Sequence, residues 1–232
     1  MTLSQIVTND VDTVVAEEFT TREGWVVPTT ENVKLIGDAI ELEAVILYSD
    51  LANSSGFESS FKAWFTAKYF QAFLTASTHI IKHNDGEIRS FDGDRVMGVF
   101  IGNYKRSNAI KTALQINYLM KNVIKPKFER KYPTLLTLQA WHPQHCTGVD
   151  VSKVFVVRGG VRTDNDLVWI GHAPNFAAKL SAVREWPFAS VISKAVYDAA
   201  DAKFKIHNGL DMWEGRMYKA KAIFRSSWTW SV

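Results

Sequence analysis

The chain has 232 residues, room for one large domain or two small ones, and its 47% hydrophobic and 22% charged residues exclude a mainly disordered or collagen-like protein. Its 27 basic and 24 acidic side chains leave a formal net charge of +3 with no long basic run. Neither a nucleic-acid stripe nor a membrane-binding surface is therefore expected, while a polyanionic small molecule stays open.

The opening MTLSQIVTNDVDTVVAEEF lacks a basic n-region and a continuous apolar core, and no run of about 18 apolar residues follows. The single cysteine, Cys146, allows no internal disulfide and points to a reducing compartment, so a soluble cytoplasmic protein is expected. Residues 1–40 read as a polar N-terminal arm with one short helix near 9–19, and 41–232 as the main domain. Ala44-Val45-Ile46-Leu47-Tyr48 is an apolar run ending at Ser49-Asp50, the pattern of a buried strand. Aromatic and apolar residues from Phe61 to Ile81 recur at mainly helical spacing and predict one helix or two over 58–83. Gly86–Phe100 predicts a hairpin turning at Asp92-Gly93, and 105–124 a helix; 125–142 is ambiguous. Three strands are expected at Thr147–Val151, Lys153–Arg158 and Leu167–Gly171, then a helix over 174–184, a strand at 189–193, a short helix to about 202 and a last strand near 219–225. Mixed strands and helices around one sheet give an α+β or α/β domain.

Two aspartates stand at strand edges, Asp50 closing the first strand and Asp94 following the hairpin turn. In neighbouring strands their carboxylates can converge on a hard cation such as magnesium or manganese. The same placement allows Asp50 to cap a helix and Asp94 merely to flank a turn. Asn53-Ser54-Ser55-Gly56 follows at once and opens a helix, where small residues let backbone N–H groups approach a phosphate. Asn175 and Lys179 lie four apart on one helix face, able to steady a ribose and a phosphate developing charge, or to form an ordinary solvated face. His79 and His83 lack the Glu of a zinc-protease helix, His142 and His145 gain no third ligand, and no GxSxG or P-loop pattern occurs.

In order, these segments resemble the catalytic domain of class III nucleotide cyclases over roughly residues 41–226. Ala44–Leu51 resembles the family's opening strand with its aromatic-x-Asp-Ile ending, Phe91-Asp92-Gly93-Asp94-Arg95-Val96-Met97-Gly98-Val99-Phe100 its Gly-Asp hairpin, and Trp169–Leu180 the segment ending Asn-x-Ala-Ala-Arg-Leu. The resemblance implies an α+β fold, a ferredoxin-like palm with a central antiparallel-rich sheet flanked by helices. It implies that Asp50, Leu51 and Asp94 hold two Mg2+ or Mn2+ ions per site, that Asn53, Ser54, Ser55 and Gly56 receive the phosphates, and that Arg216 reaches the terminal phosphates. Asn175 would orient the ribose, and Lys179, where the family has an arginine, would stabilise the transition state. Both would face a site completed by a second protomer in a head-to-tail homodimer.

The base-reading positions depart from the purine enzymes. Ser90 stands where adenylate cyclases carry Lys and guanylate cyclases Glu, and Val168 where adenylate cyclases carry Asp or Thr. Tyr48, Arg89 and Arg95 could fill and read a pocket for a smaller base. The chain is similar to the pyrimidine cyclases of bacterial anti-phage (Pycsar) systems, which make cUMP or cCMP for a separate effector protein, and UTP is the expected substrate ahead of CTP. An adenylate cyclase with a divergent pocket and an inactive cyclase-like dimerisation module are the alternatives. Diguanylate cyclases come last, since their Gly-Gly-Asp-Glu-Phe loop is missing.

Overall fold

The computed structural model describes residues 1–138 and 141–232, so the end of the ambiguous 125–142 stretch falls partly outside the described residues. In chain order the elements are α1 (Leu3–Ala16), β1 (Thr20–Glu23), β2 (Asp38–Leu51), α2 (Ser54–Ser60), α3 (Ala63–His83), β3 (Gly86–Asp92), β4 (Arg95–Phe100) and α4 (Lys105–Leu119). A wide helical turn at Met120–Ile124 leads into α5 (Lys125–Lys131), followed by α6 (Pro133–Leu138), β5 (His145–Gly160), β6 (Asn165–Gly171), α7 (His172–Ser181), β7 (Ser190–Ser193) and α8 (Lys194–Asp198). Two short strands, β8 (Ile206–His207) and β9 (Leu210–Asp211), pair with each other, and the hairpin β10 (Glu214–Tyr218) and β11 (Lys221–Ser226) ends the fold.

The main sheet runs β10-β11-β7-β5-β2-β4-β3, with β1 added to β2 and β6 to β5. Its ladders are antiparallel except β1 with β2 and β5 with β7, so the antiparallel-rich α+β sheet implied by the motifs is present. Three expectations change. The first helix lies at Leu3–Ala16 rather than 9–19; its Thr2 capping box fixes the start and none of its residues is buried. The division at 40/41 falls inside β2, and Thr20–Glu23 of the arm pairs with that strand. The strands expected at Thr147–Val151 and Lys153–Arg158 are one strand, β5, because β2 pairs with it without interruption from Ala39↔Val157 to Leu51↔His145.

β2 lies between β4 and β5 and is covered by helices on both faces, which is why its middle is apolar on both. Val45 and Leu47 pack with Ile81 of α3 and with Ala109, Ile110, Ala113 and Leu114 of α4. Ala44 and Ile46 face the other way, against Ala173 and Ala177 of α7. Each fully buried Leu or Ile contributes about 1.5–3 kcal/mol. A third cluster stacks Phe57, Phe61, Phe65, Tyr69 and Trp141 around Leu51, with Phe61 and Phe65 centroids 4.7 Å apart. It clamps α2 directly behind the end of β2. Under α7, Gly148 leaves no space: a Cβ there would meet the Ala177 carbonyl oxygen at 2.2 Å and the Ser181 nitrogen at 2.3 Å. Glycine at this position lets the helix seat backbone against backbone.

Candidate active site

Antiparallel pairing of β2 with β4 sets Asp50 opposite Arg95, so Asp94, one residue earlier, comes to the same sheet edge. The β3–β4 turn consists of Gly93 and Asp94, with Asp92 paired to Arg95 and Gly93 at φ +60° in the position that favours glycine. Asp94 is thereby a turn residue aimed back at the end of β2 rather than a strand residue.

An open cleft of about 480 Å³ collects Asp50 and Leu51 from β2, Asn53 from the following loop, Ser54 and Ser55 from the first turn of α2, Asp92, Gly93, Asp94 and Arg95 from the hairpin, and Arg184 from beyond α7. Gly56 does not line it; its α-carbon lies under the Asn53 side chain, whose amide a Cβ would meet at 2.3 Å. Asp94 has one buried carboxylate oxygen without a hydrogen-bond partner among the described residues. Burial, and next the Asp50 charge, raise the Asp94 carboxyl above its ordinary value, against smaller opposing contributions that include Ser54 and Arg184. Asp50 bonds to Arg184 at 2.8 Å. The Leu51 side chain is buried in the aromatic cluster, so only its carbonyl, which accepts from Arg184 at 3.3 Å, can serve an ion. Two carboxylates and a carbonyl, one oxygen orphaned, are an all-oxygen donor set that fits Mg2+ or Mn2+, with the remaining positions left to phosphate or water.

Along the same face, Tyr48 on β2, Met97 on β4 and Ser90 on β3 form a row, since Tyr48 pairs with Met97 and Met97 with Ser90. The Tyr48 hydroxyl donates to Met97 Sδ at 3.1 Å, and the Arg95 guanidinium lies 5.1 Å from the Tyr48 ring centre. Burial, ahead of any charge, raises the Tyr48 phenol. Arg95 also pairs with Asp92 at 2.6 Å. Arg89 occupies the bulge between Ile88 and Ser90 and turns to the arm, donating to the Ile88 and Pro28 carbonyls. Val168 is exposed on β6, opposite Val157.

Asn175 and Lys179 project from the outward face of α7; both are exposed and neither lines the cleft that holds Asp50 and Asp94. Arg216, expected near the terminal phosphates, sits on β10 and pairs with Glu185 at 2.9 Å, outside the cleft. Two features had no local signal. Arg184 is a lone arginine after a helix, and only tertiary structure brings it to Asp50. At the other end of α7, the buried Asp150 of β5 bonds His172 Nδ1 at 2.7 Å, Lys221 meets His172 Nε2, and Ser152 caps the helix by accepting from the Ala173 N–H. A protonated Lys221 can only donate, which places the His172 hydrogen on Nδ1, facing Asp150. These contacts stand in for the side-chain cap that Gly171 cannot supply. A separate cavity of about 370 Å³, lined by Lys121, Trp141, His145 and Trp186 among others, contains none of the expected site residues.

No family model matches the chain. It is 40% identical over 234 residues to the uridylate cyclase of Rhodovulum sp. (strain MB263), across 98% of this chain and 97% of that one. It is 37% identical to the uridylate cyclase of Burkholderia cepacia, over 97% and 98% of the two chains, and 34% to that of Xanthomonas perforans, over 91% of each. Among solved structures, the adenylyl cyclase CyaB from P. aeruginosa superposes with a TM-score of 0.68 at 18% identity, covering 81% of this chain and 95% of that one. The guanylyl cyclase Cya2 gives 0.65 at 16%, over 82% and 93%. Sequence kinship over nearly the whole length and a shared cyclase architecture lead to one assignment: the chain belongs to the uridylate cyclase family, built on the class III nucleotide cyclase fold.

Proposed function

We propose that the protein converts UTP into 3′,5′-cyclic UMP and pyrophosphate. The observation that carries this reading is the convergence of Asp50, Leu51 and Asp94 beside Ser54 and Ser55, in a chain related over nearly its full length to uridylate cyclases. In the reaction the ribose 3′-oxygen forms a bond to the α-phosphorus, the bond to the β-phosphate oxygen breaks, the 3′-hydroxyl proton leaves and pyrophosphate departs. Asp50, Asp94 and the Leu51 carbonyl would hold two Mg2+ or Mn2+ ions, which supply charge neutralisation on the phosphates and acidify the 3′-hydroxyl. Ser54 and Ser55, where the loop behind the carboxylates enters α2, line the cleft and would face the phosphates. The tight seating of α2 on the aromatic cluster keeps that loop in place without reorganisation.

Asn175 and Lys179 are assigned to the ribose and to the charge that builds on the transferring phosphate. Their exposure on the outward face of α7, away from their own chain's carboxylates, supports a head-to-tail homodimer in which each site draws them from the partner. Exposed apolar side chains support the same interface: Val168 and Ile170 on β6 and Phe91 on β3. Lys179 keeps the positive charge but not the planar fork of arginine. Tyr48, with Arg95 against its ring and Ser90 in the same row, narrows the base pocket and suits a pyrimidine. The product would act through a cyclic-nucleotide-responsive effector in anti-phage defence. No helix among the described residues is long and apolar enough to cross a membrane.

The test offers purified protein each of ATP, GTP, CTP and UTP with Mg2+ or Mn2+ and resolves the cyclic products. Cyclic UMP as the main product is expected. Activity on a purine alone would remove the pyrimidine assignment, cyclic CMP alone would transfer it to cytosine, and no product from any nucleotide would favour an inactive dimerisation module.

A further inference from the structure

Arg184 follows the last turn of α7 and joins two elements through one guanidinium. Its Nη1 donates to the Ser181 carbonyl, where the ending helix leaves acceptors without partners. Its Nη2 donates to Asp50 Oδ2 at 2.8 Å and to the Leu51 carbonyl at 3.3 Å. Those two oxygens belong to the donor set that fits a divalent cation. The cleft's other arginine, Arg95, is engaged by Asp92. Arg184 is thus the cation bonded to Asp50 among the described residues, while Asp94 keeps a buried oxygen unpaired.

A dication and a guanidinium compete for Asp50 Oδ2, because like charges a few ångströms apart repel inside a partly desolvated cleft. The pair is only partly shielded, with the Asp50 side chain 19% and the Arg184 side chain 38% exposed, so it is neither locked nor negligible. An arginine released from the carboxylate keeps its tether at Ser181 and carries donors in a fork that matches phosphate oxygens.

We propose that Arg184 is the resident counter-ion of Asp50, displaced when a divalent cation binds and then transferred to the pyrophosphate end of the nucleotide. The inference rests on the reading that Asp50 and Asp94 hold the cations. It makes two binding events respond with opposite sign to loss of the guanidinium charge: the cation binds better without its competitor, and pyrophosphate binds worse without its partner. A residue that only closes the C-terminus of α7 produces no such crossing.

Two measurements on the full-length protein decide it. Mn2+ binding is followed without nucleotide by loss of the free-ion electron spin resonance signal, and binding of inorganic pyrophosphate by calorimetry at saturating Mg2+. Arg184→Met is expected to bind Mn2+ about threefold to tenfold more tightly than wild type, and pyrophosphate about tenfold more weakly. Arg184→Gln keeps a donor for the Ser181 carbonyl and carries the same pair of expectations if the methionine variant fails to fold. Unchanged Mn2+ affinity in the Arg184 variants, with Asp50→Asn abolishing Mn2+ binding, would overturn the counter-ion role and leave the cation site standing. Tighter Mn2+ binding with unchanged pyrophosphate affinity would overturn the transfer to phosphate. Equal Mn2+ binding by wild type, Asp50→Asn and Asp94→Asn would overturn the cation site itself, and the proposal with it.

Discussion

The two faces of β2 divide the work of one strand between alternate residues. Val45 and Leu47 point into a sealed layer of α3 and α4, and their exposure to solvent is nil. Ala44 and Ile46 point under α7; the next residue of that row, the half-buried Tyr48, packs at the margin of the same cluster, and the one after it, Asp50, emerges into the cleft. The strand period of two makes this division automatic: a shift of one residue in register would bury Asp50 and expose Leu47. Both faces are sealed along the middle of the strand, and the chemistry lies where the Ala44 and Ile46 face runs out of covering helix.

That contrast can be tested residue by residue. The largest effect is expected at the open end, where Asp50→Ala and Asp94→Ala should each lower turnover more than about a thousandfold with little change in melting temperature. Full activity in either would contradict their assignment as ion ligands. On the sealed face, Leu47→Ala should cost about 2–5 kcal/mol in denaturant unfolding while turnover per folded molecule persists. Loss of activity without loss of stability would reverse the assignment of the faces. Mixing Asp50→Ala with Asn175→Ala subunits should restore about a quarter of wild-type activity, because half the dimers are mixed and each rebuilds one site of two. Heterodimers that form but stay inactive would argue against shared sites.

The smallest effect is a pH dependence at the start of β5. Burial pushes the His145 imidazole down to about 3, so it stays neutral in the fold and takes up a proton only on unfolding. Its contribution to stability is present above the ordinary histidine value and lost as pH falls below it. Lowering pH from about 6.5 to 5.5 should cost the wild type about 1 kcal/mol on this account, and His145→Leu should lose that slope in urea titrations at several pH values. An unchanged slope would show that other groups set it.

The parts of the fold legible in the sequence are those whose signals are local. The apolar run before Asp50, the Gly93 turn and the spacing of Asn175 and Lys179 each express a backbone requirement within a few residues, and all fall in the elements expected of them. β5 was harder to read. Gly148, Asp150 and Ser152 break its apolar pattern and look like punctuation, yet each answers a tertiary demand: Gly148 seats α7, Asp150 holds His172 and Ser152 caps the helix. α1 begins earlier than expected because the Thr2 capping box, rather than its apolar residues, sets its start. Arg184 and the Arg216–Glu185 pair depend on strands and turns far apart in the chain, and residue spacing carries no trace of such meetings.

The backbone contact at Gly148 makes α7 and the sheet beneath it one stiff piece. With the Ala177 carbonyl and the Ser181 nitrogen resting on that α-carbon, α7 can neither slide along β5 nor roll without collision. The helix presents Asn175 and Lys179 outward, and just past its end Arg184 reaches inward to the chain's own Asp50. In a dimer with shared sites, the two ends of this lever would serve two different nucleotides at a constant separation.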